Sequence, residues 1–208
     1  MDLSNYLKLY IVLETEMLKL PLEKFLREVL KAGVKTIQLR NKFQSAEEKL
    51  KIAPVIKNMV LEYNGLFIVN DSAELAVTAE ADGVHLSYKD DNIKEVKEKY
   101  PHLITGYSCN NLDDVLIANK YADYAGVGPF TATSTKKDHR QILGLKGISQ
   151  IHGSLNIPAV AIGGIDLSNA KDVISSGVEG LAISSYLCAS SKPYDDALKL
   201  LEIINERV

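Results

Sequence analysis

Three hydrogen-bond donors recur at alternate positions near the end of a short apolar segment, TIQLRNK. They are Gln38, Arg40 and Lys42. Because side chains of an extended strand repeat every two residues, all three project from the same side. Arginine offers a planar fork and lysine a point charge, the usual pair for holding phosphate oxygens. The spacing therefore predicts a phosphate site, and the alternative is a buried ion pair that only stabilises the interior.

Two aspartates, Asp71 and Asp90, follow the next two apolar segments, and Asn70 directly precedes the first of them. Two carboxylates that face one another either share a proton or hold a hard cation such as Mg²⁺. A magnesium ion needs only one or two carboxylates when substrate phosphates supply further ligands. The alternative for Asp71 is an N-cap of the helix that begins SAELA. Asp91 is interpreted as a solvated neighbour.

Later in the chain, two further segments suit anions. A hydroxyl-rich loop covers 128–138, and its candidate ligands are Thr133, Ser134, Thr135 and Lys136. The last two apolar segments end in a second group of candidates, Gly163, Gly164, Ser184 and Ser185. Glycine lets backbone amides approach a ligand closely. Two phosphate sites beside a metal pair suggest two phosphorylated substrates, and Ser108, at the end of the fifth segment, joins the same set.

Eight short apolar runs separate these candidates and predict eight strands, at 7–13, 36–40, 66–70, 83–86, 103–108, 124–128, 158–162 and 181–184. Amphipathic stretches between them predict helices, of which the clearest are 22–33, 45–64, 111–122, 167–177 and 195–208. Ser45 and Ser168 are candidate N-caps, and Gly33 and Gly177 are candidate stops.

Eight strand and helix units favour a single (β/α)8 barrel domain over residues 1–208. The competitor is an open, doubly wound sheet, but its dinucleotide-binding version needs a glycine-rich turn that is missing after the first strand. In a barrel of this kind, the residues that follow the strands converge on one rim. The predicted fold therefore gathers the phosphate and metal candidates in one place.

The composition of the chain limits the classes of partner and the cellular setting that we expect. The chain of 208 residues carries 24 basic and 27 acidic side chains, so no basic excess favours nucleic acid. No apolar segment approaches the length that spans a membrane. Cys109 and Cys188 show no metal or disulfide pattern, which indicates a reducing, cytoplasmic setting. No nucleophilic triad is evident, and for His85 packing and chemistry remain equally open.

The quoted segments together resemble the thiamine-phosphate synthase family, within the superfamily that also contains TenI. The resemblance covers about Leu9 to Leu187 and rests on IQLRNK (37–42), IVND (68–71), GVHL with KDD (83–91), Thr-x-Thr-Lys (133–136) and AIGGI (161–165). It implies a small (β/α)8 barrel that joins a hydroxymethylpyrimidine pyrophosphate to a thiazole phosphate and releases pyrophosphate. A pyrimidine-stabilised carbocation, captured by the thiazole nitrogen, is the implied intermediate.

The resemblance also assigns roles to individual residues. Asp71 and Asp90 would bind Mg²⁺, and Gln38 would contact the pyrimidine. The implied pyrophosphate ligands are Arg40, Lys42, Asn70, Ser108 and Lys136, of which Arg40, Ser108 and Lys136 would act in catalysis. The implied thiazole phosphate ligands are Thr133, Thr135, Gly164, Ser184 and Ser185. Self-association through barrel helices is a further expectation from the family.

Two departures from the family pattern bear on the alternatives. Ser87-Tyr88 stands where the family usually has Gly-Gln, and Asn110 stands near the place where TenI-type thiazole tautomerases use a histidine. An asparagine amide cannot transfer that proton. The synthase is therefore the leading hypothesis. A TenI-like tautomerase and a non-catalytic barrel that binds phosphorylated ligands are the alternatives.

Overall fold

The computed structural model describes residues 2–132 and 141–206. Its eight strands are β1 (Leu9–Leu13), β2 (Thr36–Leu39), β3 (Leu66–Asn70), β4 (Gly83–Leu86), β5 (Ile104–Cys109), β6 (Tyr124–Val127), β7 (Ala159–Ile162) and β8 (Gly180–Ile183). They are parallel and follow chain order around a closed barrel. Pairing of β1 with β8, with Tyr10 opposite Ala182, closes it. The predicted (β/α)8 barrel is confirmed, and the open sheet is excluded.

Apart from the first helix, which precedes β1, the helices follow the strands on the outside of the barrel. They are α1 (Ser4–Leu7), α2 (Leu22–Ala32), α3 (Ala46–Glu62), α4 (Ala73–Thr78), α5 (Ile93–Lys99), α6 (Leu112–Tyr121), α7 (Gly144–His152), α8 (Ala170–Ile174), α9 (Ser185–Cys188) and α10 (Pro193–Asn205), and Thr15–Met17 form one 3₁₀ turn. Across the described residues, no helix combines the length and apolar character needed to cross a membrane.

Local signals account for several helix ends. Ser45 caps α3 in a capping box, because its Oγ accepts from Glu48 N (3.2 Å) and Glu48 Oε2 accepts from Ser45 N (2.7 Å). Gly33 ends α2 with φ +112°, a backbone conformation that glycine adopts without strain. The prediction for Ser168 is wrong, because the N-cap of α8 is Asn169. Ser168 Oγ instead donates to Asp166 in the preceding turn (2.5 Å).

Strand alternation divides the apolar residues between two cores. On β1, Leu9, Ile11 and Leu13 pack outward against the helices, whereas Tyr10 and Val12 point into the barrel. The barrel interior is filled by Leu7, Tyr10, Val12, Leu66, Ile68, Tyr124, Val160 and Ala182. Leu7 belongs to α1, which packs against β1, β7 and β8. The interior is therefore packed with side chains and is no open pore.

A repeated carboxylate bond joins strand pairs at the N-terminal end of the barrel. In each case, the acid directly before an even-numbered strand accepts from a backbone N–H in the preceding strand. The three bonds join Phe67 N to Asp82 Oδ2 (2.7 Å), Thr105 N to Asp123 Oδ2 (2.8 Å) and Ala159 N to Glu179 Oε2 (2.6 Å). These carboxylates stabilise the N-terminal end of the barrel, called the lower rim below. In barrels of this kind the functional residues lie at the opposite rim, where the strands end.

Candidate active site

A cleft with two compartments opens at the rim formed by the C-terminal ends of the strands. The inner compartment enters the barrel, and its apolar walls include Tyr10, Val12, Val160, Ile162 and Ala182. The outer compartment is polar, and the residues that line it alone are Lys42, Asp71, Ser87, Lys89 and Asp90. Both compartments are lined by Arg40, Asn70, His85 and Ser108. The cleft thus joins an apolar chamber to a charged one through four polar side chains.

Most of the residues predicted from sequence meet in this cleft. Among them, the inner compartment is lined by Gln38, Arg40, Asn70, Ser108, Gly164, Ser184 and Ser185. The outer compartment is lined by Arg40, Lys42, Asn70, Asp71, Asp90 and Ser108. Thr133, Thr135 and Lys136, together with Ser134, lie outside the described residues. For those four, the sequence prediction stands as made.

Arg40 forms a buried ion pair with Glu14, the residue that follows β1. The side chains of Arg40 and Glu14 are 11% and 8% exposed, respectively. Glu14 Oε2 also accepts from the backbone N–H of Lys42 (3.3 Å). The ion pair of the alternative is therefore present, and the same guanidinium also lines both compartments of the cleft. Sequence reasoning missed Glu14, although its place directly after a strand was an available signal.

A second contact locks the loops that carry this ion pair. Thr15 N donates to Asn41 Oδ1 (2.7 Å), and Asn41 Nδ2 donates to Thr15 Oγ1 (2.7 Å). Two consecutive residues after β1, Glu14 and Thr15, thus bind residues that directly follow β2. Asn41 adopts φ +31°, a conformation that asparagine tolerates better than most residues. These bonds hold Arg40 in place before any ligand arrives.

The two candidate metal ligands share the outer compartment. Asp71 does not cap α4, because Ser72 is the N-cap and its Oγ accepts from Leu75 N (3.2 Å). Asp71 instead takes a left-handed conformation (φ +72°), and its N–H donates to the carbonyl of His85 (2.9 Å). The capping alternative for Asp71 is therefore wrong.

Asp90 is held by its neighbour in the β4–α5 loop. Its Oδ2 accepts from Ser87 N (2.7 Å) and Ser87 Oγ (2.6 Å), so the serine that replaces the family's glycine orients the carboxylate. Asp91 is exposed, as predicted, and its Oδ2 also accepts from Ala73 N at the start of α4 (2.9 Å).

The donor set of the outer compartment suits Mg²⁺ better than a transition metal. Among the described residues, no group of three or more His, Cys, Asp or Glu side chains has the arrangement of a metal cage. Asp71 and Asp90 offer hard carboxylate oxygens beside Arg40 and Lys42. Magnesium is commonly bound by one or two carboxylates together with water and substrate phosphates. The residues present fit that mode.

The loops that follow β7 and β8 suit close approach of a ligand. Gly163 and Gly164 have φ of +103° and +68°, and a Cβ at Gly164 would collide with Thr131. Ser184 Oγ is buried and, within the described part of the chain, has no hydrogen-bond partner. Because buried hydroxyls are usually bonded, Ser184 is suited to a ligand polar group.

Asn110 connects the two described ends of the β6–α7 loop. Its Nδ2 donates to the carbonyls of Gly128 (2.9 Å) and Gln141 (2.8 Å). Phe130 N and Thr131 N donate to the carbonyls of Ile162 and Gly163 (2.8 and 3.1 Å). The residues on either side of 133–140 are therefore fastened to the rim near Gly164.

A chain of hydrogen bonds crosses the inner compartment. It runs from Gln38 through Tyr10, Tyr124 and His85 to Ser108. Burial raises the pKa of both tyrosines well above the usual value, so both phenols keep their protons. His85 lies between Val84 and Leu86, which are fully buried, and strand alternation turns its ring inward. His85 therefore points inward and bonds to Ser108, a residue of the cleft.

Neither cysteine contributes a nucleophile. Both are buried thiols, and burial raises the pKa of Cys188 to about 12. Fixed cations, carboxylates and hydroxyls instead surround the passage between the two compartments. Such an arrangement stabilises negative charge that grows on a departing anion and needs no covalent intermediate with the protein.

Known proteins are similar to this chain in sequence and in fold. The Thiamine monophosphate synthase family matches residues 9–187. The thiamine-phosphate synthase of Methanococcus vannielii is 36% identical over the whole of both chains. That of Pyrococcus furiosus is 37% identical over 99% of each. The solved thiamine phosphate pyrophosphorylase of Pyrococcus furiosus superposes with a TM-score of 0.90 at 36% identity, covering 99% of this chain and 98% of its own. The chain therefore belongs to the thiamine-phosphate synthase family.

Proposed function

We propose that the chain is a thiamine-phosphate synthase, a transferase that moves the hydroxymethylpyrimidine group from its pyrophosphate to a thiazole phosphate and releases pyrophosphate. The observation that carries the proposal is the passage lined by Arg40, Asn70, His85 and Ser108 between an apolar and a charged compartment. A planar ring in the inner compartment would extend its pyrophosphate past these residues into the outer one. Family membership gives the same reaction class.

The leaving group is the part of the substrate that the outer compartment would stabilise. When the carbon–oxygen bond breaks, its electron pair stays with pyrophosphate, and the pyrimidine methylene carries the positive charge until the thiazole nitrogen attacks. Arg40, Lys42 and Lys136 would hold the departing oxygens, with Asn70 and Ser108 as uncharged donors. Bound Mg²⁺, held by Asp71 and Asp90, would supply further positive charge to the same oxygens.

The inner compartment would receive the two rings. Gln38 is buried and would contact the pyrimidine. The thiazole phosphate would bind at Gly164, Ser184 and Ser185. Ser184 Oγ is buried and has no hydrogen-bond partner among the described residues, so it could donate to that phosphate. Thr133 and Thr135 would complete that phosphate site.

No observation favours the two alternatives. TenI-type tautomerases carry a proton-transfer histidine near the place of Asn110, and here the Asn110 amide instead donates to the carbonyls of Gly128 and Gln141. A non-catalytic barrel has no need of two carboxylates beside Arg40 and Lys42. We include three further expectations in the proposal: a single domain over residues 1–208, a cytoplasmic setting consistent with two thiol cysteines, and self-association through barrel helices.

The test is product formation from both substrates in the presence of Mg²⁺. Purified protein should yield thiamine phosphate, identified by mass, only when both substrates are present. Asp90→Asn should lower kcat by about 10²-fold, the size of effect seen when one preorganised charge-stabilising group is lost. The matched control is Asp113→Asn on the exposed face of α6, which should behave as wild type. Absence of product, or full activity of Asp90→Asn, would contradict the proposal.

A further inference from the structure

We propose that His85 is a positioning residue that fixes the hydroxyl of Ser108 as a hydrogen-bond donor toward the cleft. It does so as the fourth member of a relay, defined here as Gln38, Tyr10, Tyr124, His85 and Ser108. The polarity of the relay is a property of the free protein. Its use in holding the departing pyrophosphate rests on the proposed function.

The relay is continuous, and each contact is short enough for a hydrogen bond. Gln38 Nε2 donates to Tyr10 Oη (3.1 Å), and Tyr10 Oη lies 2.7 Å from Tyr124 Oη. Tyr124 Oη lies 3.1 Å from His85 Nδ1, and His85 Nε2 lies 2.9 Å from Ser108 Oγ. Tyr10 and Tyr124 are each 1% exposed. Solvent therefore offers the two phenols no alternative partner.

Two assignments, Gln38 Nε2 as the donor to Tyr10 and a neutral His85 ring, set the direction of every other bond. Tyr10 receives a hydrogen from Gln38, so its own hydrogen points to Tyr124. Two hydrogens cannot occupy one oxygen–oxygen contact, so the hydrogen of Tyr124 points to Nδ1 of His85. A neutral His85 must then carry its hydrogen on Nε2 and donate to Ser108 Oγ. With that bond accepted, the hydrogen of Ser108 is left to point into the cleft.

Two glycines make room for the relay. Gly106 lies beside His85 in the β4–β5 pairing and beside Tyr124 in the β5–β6 pairing. A Cβ at Gly106 would overlap both of these side chains, and a Cβ at Gly126 would lie 3.1 Å from Cε1 of His85. The interior thus places two glycines against the imidazole, and the absence of a Cβ at both leaves the space that the ring occupies.

The direction of the relay matters for the departing anion. In the order derived above, Ser108 presents a hydrogen to an oxygen that gains negative charge. In the opposite order, the Gln38 carbonyl would accept from Tyr10, His85 would carry its hydrogen on Nδ1, and Ser108 would present a lone pair. A lone pair repels such an oxygen. Removal of a preorganised donor of this type lowers kcat by about 10²–10³-fold in other enzymes.

The first test reads the tautomer directly in the free, full-length protein. Long-range ¹H–¹⁵N NMR of histidine-labelled protein separates protonated from unprotonated ring nitrogens, and His85→Gln assigns the signals among the four histidines. We expect Nε2 protonated and Nδ1 unprotonated. Tyr124→Phe, which removes the donor to Nδ1, should introduce the other tautomer. A ring protonated on Nδ1 in the wild type would overturn the proposal.

The second test uses kinetics with both substrates and separates positioning from packing. His85→Gln keeps an N–H that can reach Ser108, whereas His85→Leu does not. We expect His85→Leu to lose at least tenfold in kcat with little change in KM, and His85→Gln to recover most of the loss. Equal losses in both variants would overturn the positioning role. Because the NMR experiment contains no substrate, a protein with the expected tautomer and no product formation would refute the proposed function alone.

Discussion

The buried ion pair between Glu14 and Arg40 gives a sharp prediction about stability. Glu14→Gln leaves the guanidinium without its carboxylate in a place where it is only 11% exposed. Removing one partner of a buried pair costs about 3–5 kcal/mol, because the remaining charge is left uncompensated. The glutamine oxygen still accepts a hydrogen bond, which favours the lower end, about 3 kcal/mol. For a chain of this size, that corresponds to a Tm lower by roughly 6–12 °C.

The assay is urea unfolding followed by circular dichroism, with thermal unfolding in parallel. The matched control is Glu80→Gln, which breaks the pair between Lys57 and Glu80, where the carboxylate is 75% exposed. Exposed pairs contribute little to stability, so the control should unfold close to wild type. If Glu14→Gln were as mild as the control, the claim that the Arg40 pair is buried and holds the rim in place would be refuted.

The remaining predictions concern packing, the lower rim and pH. Gly106→Ala should lower the free energy of unfolding by about 1–3 kcal/mol, because the added methyl group overlaps the relay, and it should also lower kcat. Gly126→Ala should have a smaller effect on both quantities. Asp123→Ala removes the acceptor of the Thr105 N–H and should lower the free energy of unfolding in urea by about 1–3 kcal/mol. Its kcat and KM should be unchanged, because Asp123 lies at the N-terminal end of the barrel, opposite the cleft. Burial opposes ionisation of Glu179, but bonds from His152 and a backbone N–H outweigh it and lower its pKa below 4.5. The stability from Glu179 is thus present above that pH and lost as pH falls through the lowered pKa, so the unfolding free energies of Glu179→Gln and wild type should converge in acid.

Strand alternation explains why much of the fold and site could be predicted. Eight short apolar runs separated by helical segments favour a parallel barrel, and the alternation of side chains along each strand determines which residues face inward. Four inward-facing residues at or near the C-terminal ends of strands were found in this way: Gln38, Arg40, Asn70 and Ser108. The convergence of strand ends at one rim then placed them together.

Contacts between loops could not be predicted in the same way. The roles of Asp91 and Asn110 depend on which loop lies beside which, and no local pattern encodes that. The place of Glu14 directly after β1 marked it as a rim residue, but not its pairing with Arg40. The relay was also invisible, because Tyr10 and Tyr124 look like ordinary core aromatics until the barrel brings their hydroxyls within 2.7 Å. Ser168 misled because two adjacent residues, Ser168 and Asn169, are both good caps.

The central claim is that this cleft joins two phosphorylated substrates and releases pyrophosphate. The most direct measurement follows thiamine phosphate and pyrophosphate together, with each substrate omitted in turn and with Mg²⁺ present or chelated. We expect the two products in equal amounts, only from the complete mixture and only with Mg²⁺. Pyrophosphate released without thiamine phosphate, or turnover of a thiazole carboxylate phosphate in the absence of the pyrimidine substrate, would contradict the account.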